Sequence, residues 1–282
     1  MTSVTRLTDL TYAEVDGRKL RLDLYRPDID GPVPAVVHLH GGGWSRGDKA
    51  ANAEVRLAPL AAHGVAVLSV EYRLVPEVVF PAPVRDVKAA VRWTRAHGAE
   101  YGLLTDRIGL WGASAGAMLA SLAGLTPGDP EFEVPDSEGS GGTGADYAPE
   151  HSSDVQAVVH WFGPTDFVSS ATRSPLEAAI RPPGPEVALF GPGSADEVAD
   201  VARRASPLLR VSSTAPPFLI MHGDRDRMVP ISESQALHDA LSRAGARSTF
   251  VSLAGAGHED PSFNSAPNVG MTAAFLLATL SP

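Results

Sequence analysis

The sequence predicts an α/β fold with a mostly parallel, eight-stranded sheet that carries helices on both faces. Continuous apolar runs indicate strands that are covered on both sides, as parallel strands are. Helical stretches alternate with these runs along the chain, which favours one sheet wrapped by helices. The runs are Pro34–Leu39, Val65–Val70, Ile108–Trp111, Gln156–Phe162 and Pro217–Met221, with a later strand at Ser248–Leu253.

The remaining elements follow from shorter patterns. Leu10–Val15 and Leu20–Tyr25 flank an Asp16-Gly17 turn and predict an antiparallel hairpin at the sheet edge. Pro83–Glu100 has valines at helical spacing and charges on its other faces, which predicts an amphipathic helix. A second helix is predicted over Ser232–Gly245, with a serine cap at its start and a glycine at its end.

We interpret residues 1–282 as one domain with two interruptions. Residues 127–154 hold eight acidic residues and no Lys or Arg, and they lack apolar periodicity. They predict a mobile, solvated loop without a catalytic role, at the face opposite the site. Residues 165–216 are too long for a simple connection. They follow a strand whose carboxyl end faces the ligand, so they predict a small cap insertion over the site.

Charge and composition narrow the classes of function. The 282 residues include 23 basic and 33 acidic ones, for a net charge of −10, which disfavours nucleic acid and anionic membrane surfaces as partners. There is no cysteine, so disulfides and Cys-based metal sites are excluded. The first residues lack a signal-peptide pattern, and Ala273–Leu280 is too short to span a bilayer. We expect a cytoplasmic protein, for which a homo-oligomer is possible.

The strongest motif is Gly112-Ala113-Ser114-Ala115-Gly116, which follows the strand Ile108–Trp111 and precedes a helical segment. G-x-S-x-G between a strand and a helix is typical of a nucleophile elbow, in which a sharp turn exposes the serine. The flanking residues must be small because the turn brings strand and helix close together. The alternative is a glycine-rich helix cap with an idle serine. We predict that Ser114 is the nucleophile.

A second glycine-rich loop, His40-Gly41-Gly42-Gly43-Trp44, directly follows the strand Pro34–Leu39. Acyl transfer needs backbone N–H donors that approach the developing oxyanion, and glycines permit this approach. We predict that Gly42, Gly43 and Ala115 form the oxyanion hole. A phosphate-binding loop is the alternative, but no Walker lysine is present. His40 is expected to hold the loop by hydrogen bonding.

A serine nucleophile needs a base, which an acid orients. Among nine histidines, His258 follows the flexible Gly255-Ala256-Gly257 and precedes the last helix, so we predict it as the base. The acid is either Asp226 or Asp224, both after the strand Pro217–Met221. We favour Asp226, which reaches further, while Asp224 is expected to stabilise the turn through its own backbone.

Six stretches resemble a known family: HGGGWSRGDK at 40–49, EYRLVPEVVFPAPVRDVKAAVRW at 71–93, DRIGLWGASAG at 106–116, GPTD at 163–166, ASPL at 205–208 and HGDRDRMVP at 222–230. They resemble α/β-hydrolases of the hormone-sensitive-lipase-like group, and most of all bacterial carboxylesterases related to acetyl-xylan and feruloyl esterases. The chain departs from the pattern at Ala117-Met118, where relatives often carry Gly-His. It departs again at Glu259-Asp260, where Gly-Phe is common, which makes the rim of the site more acidic.

The resemblance implies the α/β-hydrolase fold and cleavage of esters with short acyl or aromatic acids, without metal or cofactor. Trp44, Met118 and Asp166 are candidate substrate-binding residues. The alternative for Trp44 and Met118 is a position in the core, and the alternative for Asp166 is the cap of a turn. An arylformamidase is one alternative, since such enzymes share the HGG–W loop. The other is a non-catalytic ligand-binding protein with the same fold.

Overall fold

All eight predicted strands form in the structure and pair in one sheet. The computed structural model describes residues 2–133, 148–168 and 184–282. The strands are β1 (Val4–Val15), β2 (Arg18–Pro27), β3 (Val33–Leu39), β4 (Ala66–Val70), β5 (Leu103–Ala113), β6 (Ala157–Trp161), β7 (Phe218–Gly223) and β8 (Ser248–Leu253). β1, β2 and β5 extend by two or more residues beyond their predicted bounds, because polar positions at strand ends carry no apolar signal, whereas β4 and β6 are shorter than predicted.

The strand order is β1-β2-β4-β3-β5-β6-β7-β8. β2 is antiparallel to both of its neighbours, and all other pairs are parallel. The predicted hairpin therefore lies at one edge of the sheet. This mostly parallel sheet has the α/β-hydrolase arrangement that the motifs indicated, and its parallel strands direct their carboxyl ends to one side.

Helices cover both faces of the sheet, as predicted. Neighbouring residues of β3 belong to different cores: Val37 packs in a cluster with Val87 and Met118, whereas Val36 packs in a second cluster with Leu60 and Leu276. The α-helices are α1 (Ala58–Ala61), α2 (Ala82–His97), α3 (Ala115–Leu125), α4 (Pro130–Glu133), α5 (Glu186–Phe190), α6 (Ala195–Ala205), α7 (Ile231–Arg243) and α8 (Ala266–Leu280). A π-helix spans Ala53–Leu57, and 3₁₀ turns span Gly98–Tyr101, Pro207–Arg210 and Pro261–Asn264. Among the described helices, none combines the length and apolarity that a bilayer crossing requires.

The prediction that Ser232 caps the helix at its start is wrong. α7 begins one residue earlier, after Pro230, and Glu233 N–H donates to the Pro230 carbonyl at 3.0 Å. Ser232 is thus already inside the first turn, where its side chain has no capping role. The predicted glycine stop is confirmed, because Gly245 follows the helix with a φ of +80°.

The two described ends of the acidic segment are partly anchored to the protein body, which corrects part of the expectation of a loop in water, although Gly128, Glu150 and Asp154 are exposed as expected. Phe132 of α4 is fully buried, and the Glu133 carboxylate lies 2.7 Å from both Lys88 Nζ and Arg92 Nη1 on α2. An apolar side chain and a paired carboxylate outweigh the acidic composition here. These ends lie beyond the C-terminus of α3, about 16 Å along that helix from its start, so they are remote from Ser114. Residues 134–147 of this prediction lie outside the described residues.

The described part of the 165–216 insertion reaches the glycine loop that follows β3. The Phe167 ring meets the Trp44 ring edge-on, with 5.8 Å between centroids. A methyl group placed on Gly43 would contact the Pro185 ring at 3.0 Å. α5 is tied to the chain before α2 by the bond from Phe80 N–H to the Leu189 carbonyl, at 2.8 Å. Residues 169–183 of the predicted cap lie outside the described residues.

Candidate active site

Ser114 occupies the sharp turn between β5 and α3, with φ 53° and ψ −120°. This left-handed conformation is strained for a residue other than glycine. The steric prediction for the flanking glycines holds: a Cβ on Gly112 would lie 2.1 Å from the Gly116 carbonyl oxygen, and one on Gly116 would lie 2.2 Å from that of Leu39. Strand, turn and helix therefore pack too closely for larger residues.

The turn brings Ser114 together with the two predicted partners from the distant part of the chain. His258 Nε2 lies 2.9 Å from Ser114 Oγ, and His258 Nδ1 lies 2.7 Å from Asp226 Oδ2. A carboxylate only accepts hydrogen bonds, so Nδ1 carries the proton and Nε2 is left to accept the serine hydroxyl. The edge of the His258 ring packs against Phe162, 5.0 Å between centroids.

The carboxylate of Asp226 is fully buried and accepts four hydrogen bonds. Oδ1 accepts from the N–H groups of Met228 and Val229 at 2.8 and 3.0 Å, while Oδ2 accepts from His258 and from His222 Nε2, the latter at 3.2 Å. Burial alone raises the pKa of this carboxyl, but the hydrogen bonds from His222, His258 and Val229 outweigh it and hold the pKa well below its usual range. Asp226 is therefore ionised and fixed in direction.

Asp224, the other candidate acid, has a different partner from the one expected. Its Oδ1 accepts from Gly255 N–H at 2.7 Å, and its own N–H donates to the Leu253 carbonyl at 3.1 Å. Arg225 N–H donates to the Ala256 carbonyl at 2.9 Å. The predicted stabilisation of its own turn is thus wrong, because the loop before His258 passes within reach of the carboxylate. Asp224 anchors that loop.

The glycine loop after β3 is held in a special conformation. Gly42 has a φ of +122° and Gly43 a φ of +60°, and the Gly42 carbonyl accepts from Ser45 and Arg46 N–H. In the described part of the chain, the N–H groups of Gly42, Gly43 and Ala115 have no backbone acceptor. His40 holds the loop as expected: Nδ1 donates to the Gly41 carbonyl at 2.7 Å, and its ring stacks on Tyr72.

The three candidate substrate-binding residues are mostly buried. Met118 is fully buried in the core beneath α3, and Trp44 is 2% exposed. The Trp44 indole N–H is buried without a hydrogen-bond partner among the described residues. Asp166 Oδ1 accepts from Val168 N–H at 2.9 Å, which is the turn cap that was the alternative to substrate contact.

Two further side chains belong to the site and were not selected from the sequence. His222 was assigned to packing at a strand end, yet its ring binds the proposed acid. Glu259 forms an ion pair with the buried Arg56, 2.8 Å between Oε2 and Nη2. The only sequence signal for this pair is the departure from Gly-Phe after His258, since 203 residues separate its members.

Comparison with known proteins shows that the chain is similar to esterases. The chain is 34% identical over 236 residues to the probable carboxylic ester hydrolase LipM of Mycobacterium tuberculosis, a match that covers 83% of this chain and 51% of LipM. The chain thus spans about half the length of that curated relative. A truncated carbohydrate esterase from gut microbiota superposes with a TM-score of 0.84 at 31% identity, covering 100% of this chain and 98% of that one.

A third similar protein is esterase 2 of Thermogutta terrifontis in a form phosphorylated by paraoxon. It superposes with a TM-score of 0.72 at 26% identity, covering 98% of this chain and 96% of that one. The family match extends over residues 22–241, which includes the glycine loop, the serine turn and Asp226. The α/β-hydrolase fold, the serine turn and this match lead to one assignment: the chain belongs to the BD-FAE family.

Proposed function

We propose that this chain is a carboxylesterase-type serine hydrolase that cleaves esters of short acyl or aromatic acids. The observation that carries the proposal is the continuous hydrogen-bonded series from Ser114 Oγ through His258 to Asp226, at 2.9 and 2.7 Å. A serine hydroxyl, a neutral imidazole and a buried carboxylate in this order are the components of nucleophilic acyl transfer.

In the proposed mechanism, Ser114 Oγ attacks the ester carbonyl carbon while its proton passes to His258 Nε2. The carbonyl oxygen becomes an oxyanion, and the tetrahedral intermediate then expels the alcohol, which leaves with the proton from Nε2. Water attacks the acyl-serine by the same sequence, releases the carboxylic acid and restores the hydroxyl. Asp226 stays ionised and stabilises the imidazolium that forms twice in each turnover.

The oxyanion is assigned to the N–H groups of Gly42, Gly43 and Ala115. Gly41, the neighbour of Gly42, approaches the serine turn, since a Cβ placed on it would lie 3.3 Å from Ser114 Cβ, and Ala115 directly follows the nucleophile. Removing one donor of this kind typically lowers kcat by about 10²–10³-fold. The dipole of α3, whose first residue is Ala115, adds positive potential at the same point.

The substrate class rests on the surroundings of the serine and on the relatives. Pro185 of the insertion limits the space beside Gly43, and the buried Phe162 ring packs against His258. Such a site favours small or flat acyl groups over long chains. The gut carbohydrate esterase suggests that the alcohol side of the substrate is a sugar, and we propose acetylated or feruloylated saccharides as the class to test first.

The test is a panel of p-nitrophenyl esters from acetate to octanoate, with methyl ferulate and N-formylkynurenine alongside. We expect the highest kcat/KM for acetate or an aromatic ester. Ser114→Ala should lower kcat by at least about 10⁴-fold while the circular dichroism spectrum is retained. Wild-type protein should react with one equivalent of paraoxon, and intact mass should show one phosphorylated site. The variant should not react.

A well-folded wild-type protein that neither hydrolyses any ester nor reacts with paraoxon would contradict the proposal and favour a non-catalytic binding role. Faster turnover of N-formylkynurenine than of every ester would replace ester hydrolysis by formamide hydrolysis at the same serine. Both outcomes are read from the same samples.

A further inference from the structure

A buried arginine lies beside the proposed catalytic residues without a part in the mechanism. Arg56 is on the π-helix Ala53–Leu57, and only 1% of its side chain is exposed. Its Nε donates to Asn264 Oδ1 and its Nη2 to Glu259 Oε2, both at 2.8 Å, and its guanidinium lies 5.0 Å from the centroid of the Trp161 ring. π-Helices are rare and are frequently found at functional sites.

Glu259, the partner of this arginine, directly follows His258 and is held in a strained conformation. Its φ is +54°, a left-handed conformation that costs about 1 kcal/mol for a residue with a side chain. The side chain is 38% exposed, so burial of apolar surface does not compensate for the strain. A strained residue next to a reactive one is a reason to look for a functional role.

The second oxygen of this carboxylate lies close to the nucleophile. A methyl group placed on Gly41 would contact both Glu259 Oε1 and Ser114 Cβ, each at 3.3 Å. The carboxylate and the serine are thus both within contact distance of one point beside Gly41. The negative charge of Glu259 is therefore near the point where the imidazolium of His258 forms.

We propose that Glu259 is a positioning residue for His258. Arg56 holds Glu259 in place, and the charge of Glu259 balances that of the buried arginine beside the reacting groups. This inference rests on the proposed function, because it assigns His258 as the base. The ion pair fixes the backbone immediately after His258, and Asp224 fixes the loop before it. The imidazole is thus restrained from both sides at hydrogen-bonding distance from Ser114.

The charge argument gives opposite predictions for the two members of the pair. Without the Glu259 charge, Arg56 is a buried cation that disfavours the imidazolium. Without the Arg56 charge, Glu259 is an unbalanced anion that favours it. The other charged or titratable groups around the His258 loop stay constant in both cases; they are Asp226 on the ring itself, His222 behind Asp226, Asp260 on the same loop, and Asp224 and Arg225 after β7.

The experiment follows the pH midpoint of the His258 titration by NMR and the acid limb of kcat/KM, in Glu259→Gln, Arg56→Met and the double variant. We expect Glu259→Gln to move both midpoints down by about half a pH unit and to lower kcat about tenfold with little change in KM. Arg56→Met should move them up, and the double variant should return them toward wild type. Glu54→Gln removes an exposed charge from the same π-helix and should move neither.

Equal shifts in the same direction for both single variants, or no shift in either, would overturn the inference and leave the pair a merely structural contact. If Arg56→Met does not fold, the comparison of Glu259→Gln with Glu54→Gln still tests the inference. Only Glu259→Gln should shift the pH midpoint of the His258 titration. The NMR titration does not depend on ester turnover. The predicted shifts in a protein without esterase activity would support the inference and refute the proposed function, and activity without the shifts would do the reverse.

Discussion

The buried ring of His222 contacts the same carboxylate oxygen of Asp226 that His258 contacts. Its Nε2 lies 3.2 Å from Asp226 Oδ2 and 3.0 Å from the Val229 carbonyl, and its Nδ1 lies 2.7 Å from Ser234 Oγ. Both neighbours of Nε2 are acceptors, so Nε2 carries the proton and Nδ1 accepts the serine hydroxyl. His222 thus gives Asp226 a fixed donor that is independent of His258.

Replacing His222 by Phe should therefore impair turnover. The ring volume is kept while the donor to a buried carboxylate is lost, a hydrogen bond worth about 1.5–3 kcal/mol. We expect kcat to fall by about 10- to 100-fold, measured with p-nitrophenyl acetate. His238→Phe is the matched control, because His238 bonds Ser248 on the outer part of the sheet and does not contact Asp226. A folded His222→Phe variant with wild-type kcat would contradict the prediction.

Gly42→Ala should disrupt the glycine loop. The new Cβ would lie 2.0 Å from the Arg46 carbonyl oxygen, and the φ of +122° is unfavourable for alanine, so the loop must move. We expect kcat to fall by at least about 100-fold through loss of oxyanion donors. Gly17→Ala also changes a glycine with positive φ, but its Cβ has no neighbour within 4 Å. This control should lose a little stability and keep its kcat; a similar loss of kcat in both variants would point to unfolding.

Glu133→Ala should destabilise the protein without changing its chemistry. It leaves Lys88 and Arg92 buried without their shared carboxylate, and removing one member of a buried pair costs about 3–5 kcal/mol. Urea unfolding followed by fluorescence measures the loss. Asp200→Ala breaks an exposed ion pair to Arg204 and should cost less than about 1 kcal/mol. A free energy of unfolding that is equally reduced in both variants would refute the special role of Glu133.

Acid should unfold the protein in part through Asp226 and Glu133. Burial raises the pKa of each carboxyl, but hydrogen bonds lower it further, from two histidines at Asp226 and from Lys88 and Ser153 at Glu133. The native state thus binds these protons only at lower pH than the unfolded chain, whose values are about 3.9 and 4.3. The contribution to stability is complete above about pH 5 and is lost as the pH falls below about 4.

The measurement is the free energy of unfolding in urea from pH 7 to pH 3. We expect a plateau followed by a decline, with a shallower decline in Glu133→Gln and Asp226→Asn than in wild type. Asp30→Asn, at an exposed position, serves as the comparison. An equally steep decline in all four proteins would show that other carboxylates control acid unfolding.

Much of the candidate site could be predicted from the sequence because its signals are local. Gly112 and Gly116 mark the serine turn by their spacing, and the glycines before His258 mark the loop that carries the base. The structure brings together Ser114, His258 and Asp226 as the motifs indicated. The first part of β5 was missed because the exposed Asp106 and Arg107 interrupt its apolar run.

The rest depends on contacts between distant segments and on backbone angles. Nothing local shows that Arg56 meets Glu259, that Asp224 holds Gly255 instead of its own turn, or that Glu259 adopts a positive φ. The burial of Phe132 was hidden by the acidic residues around it, since average composition does not reveal one apolar anchor. Such features require the geometry of the folded chain.

The lysine beneath the acidic segment joins both of its ends. Lys88 Nζ binds Glu133 Oε1 at 2.7 Å and Ser153 Oγ at 3.2 Å, and Ser153 also donates to Glu133 at 2.6 Å. Lys88 therefore holds Glu133 and Ser153 together at one point of the described structure. A reporter or another foreign module inserted between Glu133 and Ser153 should therefore leave the fold intact, at a position remote from Ser114.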